Sequence, residues 1–245
     1  MIVAICGKKQ AGKNSLANFW LGLELQRLGE IQSCRLSTDG KLFIPVQKEG
    51  SEEFVDEWLN FDSREPGFLE WAHTTIWPEC KNYAFADNLK DVAMNLFGLT
   101  YEQCYGTDED KNSVVPHLDW KDFPNFKDRK GTVTARQFLQ YFGTDICRRI
   151  YSPVWVNALI NQIKTEQSKL ALITDCRFLN EVKAVQEAGG KVIRLTRQIS
   201  KDAHESETQC DDYKDFDATI DNNNMTMEES QAAFVEVMKQ WDLFK

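Results

Sequence analysis
The chain has 245 residues, 42% of them hydrophobic, and sets 29 Lys plus Arg against 38 Asp plus Glu for a net charge of −9. That acidic balance argues against a duplex-binding or membrane-surface role, because phosphate backbones and anionic lipids demand basic faces. A local basic pocket for a small phosphate ester stays open. The length suits a single α/β domain, 1–245, with a substantial core and an inserted region. No apolar run approaches membrane length, Met1 leads into strand-like sequence instead of a leader, and the seven cysteines (6, 34, 80, 104, 147, 176, 210) contain no Cys-x-x-Cys pair. These features predict a cytoplasmic protein with reduced thiols and no zinc site.

Ile2 to Cys6 is a short apolar run rich in β-branched residues and reads as a buried strand. Gly7-Lys8-Lys9-Gln10-Ala11-Gly12-Lys13-Asn14-Ser15 follows, then a helical spacing of Leu16, Phe19, Trp20 and Leu23. Strand, glycine-bounded loop with a lysine, then helix is the arrangement that cradles phosphates. The glycines let successive N–H groups turn inward, the helix N-terminus adds partial positive charge, and Lys13 supplies a mobile full charge. The Ser15 hydroxyl suits a Mg²⁺ ion that bridges a nucleotide's outer phosphates.

The first helix should run to about Leu28 and end at Gly29. Ile31–Ser37 is a candidate second strand. From about 38 to 81 the composition changes, with isolated glycines, Pro45, Pro66, Pro78, acidic clusters and Trp58, Trp71 and Trp77. This stretch reads as an insertion built from a hairpin or short helices, with the aromatics forming its own small core. Asn82–Ala86 returns to strand character, and Asn88–Phe97 is helical up to Gly98. This second strand-to-helix junction would lie beside the phosphate loop at the carboxyl edge of a parallel sheet. Residues 101–131 are polar and Pro-containing, with the acidic stretch Asp108-Glu109-Asp110, most of that charge reading as solvated loop, within a lid or acceptor region of about 100–165.

Thr134 can cap a helix carrying Arg136, Arg148 and Arg149, and Ser152-Pro153 starts another that runs to about Lys164. Lys169–Thr174 is the most strand-like run and delivers Asp175-Cys176-Arg177. A helix over Asn180–Ala188, a strand over Val192–Thr196, an acidic loop over 200–216, a short strand at Asp217–Ile220 and a closing helix over Thr226–Trp241 complete the pattern. Alternating strands and helices behind an initial phosphate loop predict a doubly wound parallel sheet.

Phosphoryl transfer requires positioning, a metal and positive charge. Asp175 at a strand end can hold Mg²⁺ or its waters, and Arg177 can reach a transferring or acceptor phosphate. Arg136, Arg148 and Arg149 suit an acceptor phosphate through bidentate guanidinium contacts, with no one of them singled out. His204 has no general-base role supported by sequence, and an ionised acceptor phosphate needs none.

Several segments together resemble phage-type deoxynucleoside monophosphate kinases: GKKQAGKNS, YAFADNLKD, TARQFLQYFGTDICRRIYSPVWV, LALITDCRFLNEVKAVQEAGGKVIRLTR and HESETQCDDYKDFDATIDNNNMT. Four of them also look like the phosphomevalonate kinase branch of the same P-loop kinase group, and the hydroxyl at Ser15, second after Lys13, is similar to the adenylate kinase pattern. The resemblance implies a P-loop kinase-like α/β fold and ATP-dependent phosphorylation of a deoxynucleoside monophosphate in deoxynucleotide biosynthesis. It implies residues 7–15 as the ATP-phosphate loop, Ser15 and Asp175 toward Mg²⁺, and Lys13, Asp175 and Arg177 as catalytic. It matches Lys90 to a lysine near the acceptor, with Asn88 where the family usually has proline. Ser206 and Glu207 match a Ser/Thr-Glu pair that is either substrate-side or structural; Glu207 is placed with Lys90 and the three arginines on the substrate side. The expected partners are ATP and a deoxynucleoside monophosphate, with no nucleic acid or membrane and a homodimer allowed; the setting is cytoplasmic, host cytoplasm if phage-encoded. Another phosphate-ester acceptor, or a nucleotide-switch or DNA-processing NTPase, are the competing readings.

Overall fold
The computed structural model describes residues 1–48, 50–123, 130–198 and 209–243. Its strands are β1 (Ile2–Cys6), β2 (Arg35–Leu36), β3 (Leu42–Gln47), β4 (Phe54–Trp58), β5 (Cys80–Tyr83), β6 (Val114–Asp119), β7 (Thr132–Thr134), β8 (Leu170–Cys176), β9 (Lys191–Leu195) and β10 (Ala218–Ile220). Its α-helices, numbered over the described residues, are α1 (Lys13–Leu28), α2 (Pro66–Thr74), α3 (Asp87–Phe97), α4 (Tyr101–Tyr105), α5 (Asp108–Asn112), α6 (Ala135–Gln140), α7 (Val154–Glu166), α8 (Leu179–Glu187) and α9 (Met227–Gln240). The chain divides into two compact units, one formed by 1–84 with 160–245 and the other by 85–159.

The first unit is built on a five-stranded parallel sheet in the order β10-β9-β1-β8-β5. β1 lies at its centre, with Val3 opposite Leu172 on one side and Lys191 on the other. Strands buried on both faces cannot alternate polar and apolar residues, which is why β1 and the first part of β8 read as unbroken apolar runs. On one face, Val3, Ile5, Leu172, Ile193 and Leu195 pack with Leu16, Trp20, Leu21 and Leu25 of α1 and with Phe234 and Met238 of α9. Trp20 meets Phe234 edge-on at 5.9 Å. α8 packs on β1 and β9 and buries Val182 and Val185 outside that cluster, so helices flank both faces. The expected doubly wound parallel α/β sheet is what the structure shows.

From β1 the chain crosses to edge strand β5, returns to β8 between them, then places β9 and β10 on the opposite side of β1. The winding reverses at β1, and a crevice opens outside the carboxyl ends of strands at such a point. In the β1–β8 pairing Ala4 faces Ile173 while Cys6 faces Cys176, so β8 carries one extra residue at 174–175. Bulges re-aim side chains at sheet rims, and this one immediately precedes the strand end. It also lengthens β8 past the sequence-predicted end at Thr174.

The 38–81 region contains the expected hairpin, β3–β4, extended by β2 into a small antiparallel sheet, and one helix, α2. Its aromatics do not form a separate core. Phe68, Trp71 and Trp77 pack against the main core beside Ala72 and Ile76, while Trp58 is 48% exposed under the Lys41 ammonium. A hairpin of five- and six-residue strands has too little apolar surface of its own, so the aromatics borrow the larger core.

In the second unit the acidic residues Asp108 and Glu109 are exposed as expected, but they lie in a helix and not in a loop. α4, α5 and strand β6 occupy much of 101–131, with β6 paired to β7, and Leu99, Cys104, Val115, Trp120, Val133 and Phe138 form a core of their own. Phe138 and Phe142 stack at 5.7 Å. Thr100 with Gln103, Thr107 with Asp110 and Thr134 with Gln137 are reciprocal capping boxes, so polar sequence here secures helix starts. The acidic triplet Asp108-Glu109-Asp110 is the first turn of α5, where negative charge complements the helix dipole. The helix expected after Thr134 continues as a π-helical turn over Tyr141–Arg148, and the Gly143 carbonyl accepts the Trp155 indole N–H at 3.1 Å.

Gly40 ties the insertion to α1. Its φ is +79°, Asn18 donates to its carbonyl at 2.9 Å, and a Cβ there would overlap the Ser15 hydroxyl and lie 2.9 Å from Ser15 Cβ. Gly40→Ala is therefore expected to cost about 2 kcal/mol or more through strain and displacement of Ser15. Urea unfolding checks this; an unchanged midpoint would contradict it.

Candidate active site
β1 leaves the sheet at Cys6 and hands the chain to Gly7, whose N–H donates to Cys176 O at 3.4 Å. The loop then turns tightly: Ala11 N donates to Lys8 O at 3.2 Å, Gln10 has φ +62° and Gly12 φ +98°. Gly12 is the N-cap of α1, in a left-handed conformation that L side chains resist. Among the described residues α1 has no side-chain cap and no acid in its first turn, unlike α4, α5 and α9. No N-cap side chain takes its first N–H groups and no acid of its own first turn offsets the positive end of its dipole, the arrangement that accepts an anion from a ligand.

Lys13, read from the sequence as a mobile full charge, is only 6% exposed. Nζ donates to Gly7 O at 2.6 Å and Lys8 O at 2.7 Å, folding the ammonium back onto the loop that precedes it. A buried ammonium must find acceptors, and the loop's own carbonyls supply two of them. Asn14 is exposed and Ser15 half-buried, so of the two polar positions after Lys13 only Ser15 is enclosed by the loop region. Lys8 pairs with Asp211 at 2.9 Å, as does Arg194, and these residues border a cavity of about 510 Å³ that Thr196, Cys210 and Phe216 also line.

β8 carries Asp175 and Arg177 to the same carboxyl edge, both half-buried. The turn that follows is fixed by Glu181, 2% exposed, whose Oε2 accepts the backbone N–H of Arg177 at 2.9 Å and of Phe178 at 3.0 Å. This carboxylate caps α8 and sets the backbone at Arg177. Behind the turn three thiols cluster. The Cys176 and Cys210 thiols and the Arg194 guanidinium, 3.5 Å from Cys6 Sγ, hold the Cys6 thiol well below its usual range, while Cys176 and Cys210 are pushed up by the Cys6 sulfur and by burial. All seven cysteines are free thiols.

The ends of β9 and β10 meet the loop from the other side. Asn222, 1% exposed, donates from Nδ2 to Ala11 O at 2.9 Å and accepts Arg197 N–H on Oδ1 at 2.9 Å. Neither Asn222 nor Arg197 was singled out by sequence reasoning. An asparagine inside Asp-Asn-Asn-Asn, Asp221–Asn224, has no local signal that sets it apart from its neighbours.

The structure thus brings residues 7–15, Asp175 and Arg177 to one sheet edge in the first unit. Lys90, Arg136, Arg148 and Arg149 belong to the second. There Lys90 lies 3.5 Å from Asp87 and 4.0 Å above the Tyr105 ring, and Arg136 pairs with Asp108 at 2.7 Å. Arg148 is half-buried and Arg149 exposed. His204, Ser206 and Glu207 lie outside the described residues. Among the described residues no group of three or more His, Cys, Asp or Glu forms a metal cage. Ser15 and Asp175 are oxygen donors of the kind Mg²⁺ takes one or two at a time while keeping waters and substrate phosphates.

A central parallel sheet reversing at β1, with this loop at its carboxyl edge, defines an α/β protein of the P-loop kinase-like class. A family model described as deoxynucleotide monophosphate kinase matches residues 93–232. A protein of Acanthamoeba polyphaga mimivirus, provisionally assigned as a deoxynucleotide monophosphate kinase, is 34% identical over 161 residues, covering 60% of this chain and 76% of the relative. The chain belongs to the deoxynucleotide monophosphate kinase family, and is a nucleotide kinase acting on small nucleotide substrates with a nucleotide phosphate donor. The family match contains Arg136, Arg148, Arg149, Asp175, Arg177 and Glu207. The loop at 7–15 precedes it and stands on geometry. No helix among the described residues is long and apolar enough to cross a membrane.

Removing the Glu181 carboxylate would leave two backbone donors without their acceptor. Glu181→Ala should cost about 2–3 kcal/mol, the scale for hydrogen bonds to a charged group, whereas Glu181→Gln, which keeps one oxygen, should lose less than half of that. Chemical denaturation of the two variants decides; equal losses would show that the turn requires the negative charge of Glu181 and that an uncharged acceptor oxygen does not replace it.

Proposed function
We propose that this enzyme transfers the γ-phosphoryl group of ATP to the phosphate of a deoxynucleoside monophosphate, yielding the diphosphate and ADP. An acceptor phosphate oxygen forms the new bond to the γ-phosphorus while the bond to the β-bridging oxygen breaks and ADP departs. The observation that carries the reading is the loop at 7–15, set at the reversal point of the sheet, with the buried Lys13 ammonium donating to the Gly7 and Lys8 carbonyls of that loop.

In this reading residues 7–15 receive the outer phosphates, and Lys13 exchanges the Gly7 and Lys8 carbonyls for phosphate oxygens. Arg177, on the turn capped by Glu181, offsets negative charge on the transferring group. Ser15 and Asp175 would hold Mg²⁺, which supplies charge neutralisation between the donor's phosphates. Lys90, Arg136, Arg148, Arg149 and Glu207 serve the acceptor side, on the strength of the resemblance, with residues 85–159 supplying four of the five. The free thiols and the P-loop kinase-like fold suit a cytoplasmic deoxynucleotide-synthesising enzyme. The acceptor phosphate is largely ionised at neutral pH, so no general base is required.

A coupled assay against a panel of deoxynucleoside monophosphates tests this directly. ADP should form with Mg²⁺·ATP only when an acceptor is present, and Lys13→Ala should lower kcat about 10²–10³-fold, ~3–4 kcal/mol, the scale for losing one preorganised charge-stabilising donor. ATP turnover without any acceptor, stimulation by DNA, or near-normal activity in folded Lys13→Ala would overturn the assignment.

A further inference from the structure
We propose that Asn222 is a positioning residue for phosphoryl transfer: its side-chain amide sets the direction of the Ala11–Gly12 peptide and couples it to Arg197. The proposal rests on the reading of residues 7–15 as the loop that holds the donor's phosphates, and it deepens that reading.

Asn222 follows β10 and is almost completely buried, and both ends of its amide are committed. Nδ2 donates to Ala11 O, 211 positions away, and Oδ1 accepts from Arg197 N–H. The Asn222 backbone carbonyl takes the Arg197 Nε–H at 3.0 Å, and Arg197 Nη2 donates to Met225 O at 2.6 Å. One side chain therefore links the loops that follow β1, β9 and β10.

A trans peptide points its C=O and its N–H in opposite directions. With the Ala11 carbonyl engaged by Asn222, the Gly12 N–H is turned to the other side of the loop. It joins the donors at the start of α1 that no N-cap side chain takes. A phosphate arriving there meets a donor whose direction was set before binding, and preorganised donors lose no reorganisation energy on binding. Without the amide this peptide could rotate through ψ of Ala11 and φ of Gly12, and glycine resists that rotation little. Only a group that donates at one end and accepts at the other satisfies both partners. A carboxylate would set oxygen against the Ala11 carbonyl, and an apolar side chain would leave buried groups unpaired.

Asn222→Asp keeps the acceptor for Arg197 N–H while opposing the Ala11 carbonyl, and Asn222→Ala removes both contacts without adding charge. Steady-state kinetics with Mg²⁺·ATP and the best deoxynucleoside monophosphate of the wild type should show KM for ATP raised at least tenfold in both variants. KM for the acceptor should stay within twofold. Donor KM within twofold of wild type in either folded variant, or equal losses for both substrates, overturns the proposal. Lys13→Ala run in parallel separates the two levels: retained activity there means the loop reading itself fails, whereas an inactive Lys13→Ala beside normal ATP binding in Asn222→Asp and Asn222→Ala means the brace alone fails. Should the Asn222 variants not fold, NMR of the wild type decides. Slow exchange of the Asn222 Nδ2 protons and a large Gly12 amide shift on adding ADP support the brace; fast exchange or an unmoved Gly12 amide overturns it.

Discussion

A loop that binds phosphate must turn its backbone donors to one side, so its carbonyls have to be held elsewhere. Under the proposed function, several contacts at the first unit's carboxyl edge meet that constraint. Gly12 permits the turn at φ +98°, and the Lys13 ammonium occupies the Gly7 and Lys8 carbonyls. Asn222 occupies the carbonyl of Ala11. Buried main-chain polar groups must be paired, and here the pairing decides which way the remaining donors face. The result is a short segment with a fixed direction, achieved by three contacts from two residues far apart in the chain.

The sheet order makes these contacts available. Placing β8 and β9 on either side of β1 brings the turn after β8, with Asp175 and Arg177, and the loop after β9, with Arg197, to flank Gly7 through Ser15. The bulge at 174–175 and the Glu181 cap adjust the first of these loops. Asn222 and the Asp221 carboxylate adjust the second; the Thr196 hydroxyl holds the Asp221 carboxyl below its usual range. Fixed geometry at strand ends suits phosphoryl transfer, where positioning and charge do most of the chemistry.

What could be read in the sequence was what is locally encoded. The turn between β1 and α1 follows from glycine spacing between an apolar strand and a helix, and α1, α9 and the principal strands follow from periodicity and caps. The order within residues 101–131 was not legible because their polar residues secure helix starts through capping boxes, while apolar ones that join the core, such as Val115 and Trp120, are widely spaced. Trp71 and Trp77 were assigned to the wrong core for a similar reason: composition shows that aromatics will be buried, but only topology shows against what. Lys13 was read as a mobile full charge, whereas the structure buries it with its ammonium donating to the Gly7 and Lys8 carbonyls, partners that residue spacing does not show. Asn222 was illegible, since its partner lies at the opposite end of the chain and sheet order alone brings them together.

The most direct measurement is a crystal structure of the protein with ADP. The β-phosphate should sit on the N–H groups of residues 12–15, with Lys13 Nζ moved from Gly7 O and Lys8 O onto phosphate oxygen and the Asn222–Ala11 contact unchanged. Nucleotide bound elsewhere, with Lys13 still held by those two carbonyls, would contradict the assignment of this loop as the donor's phosphate site.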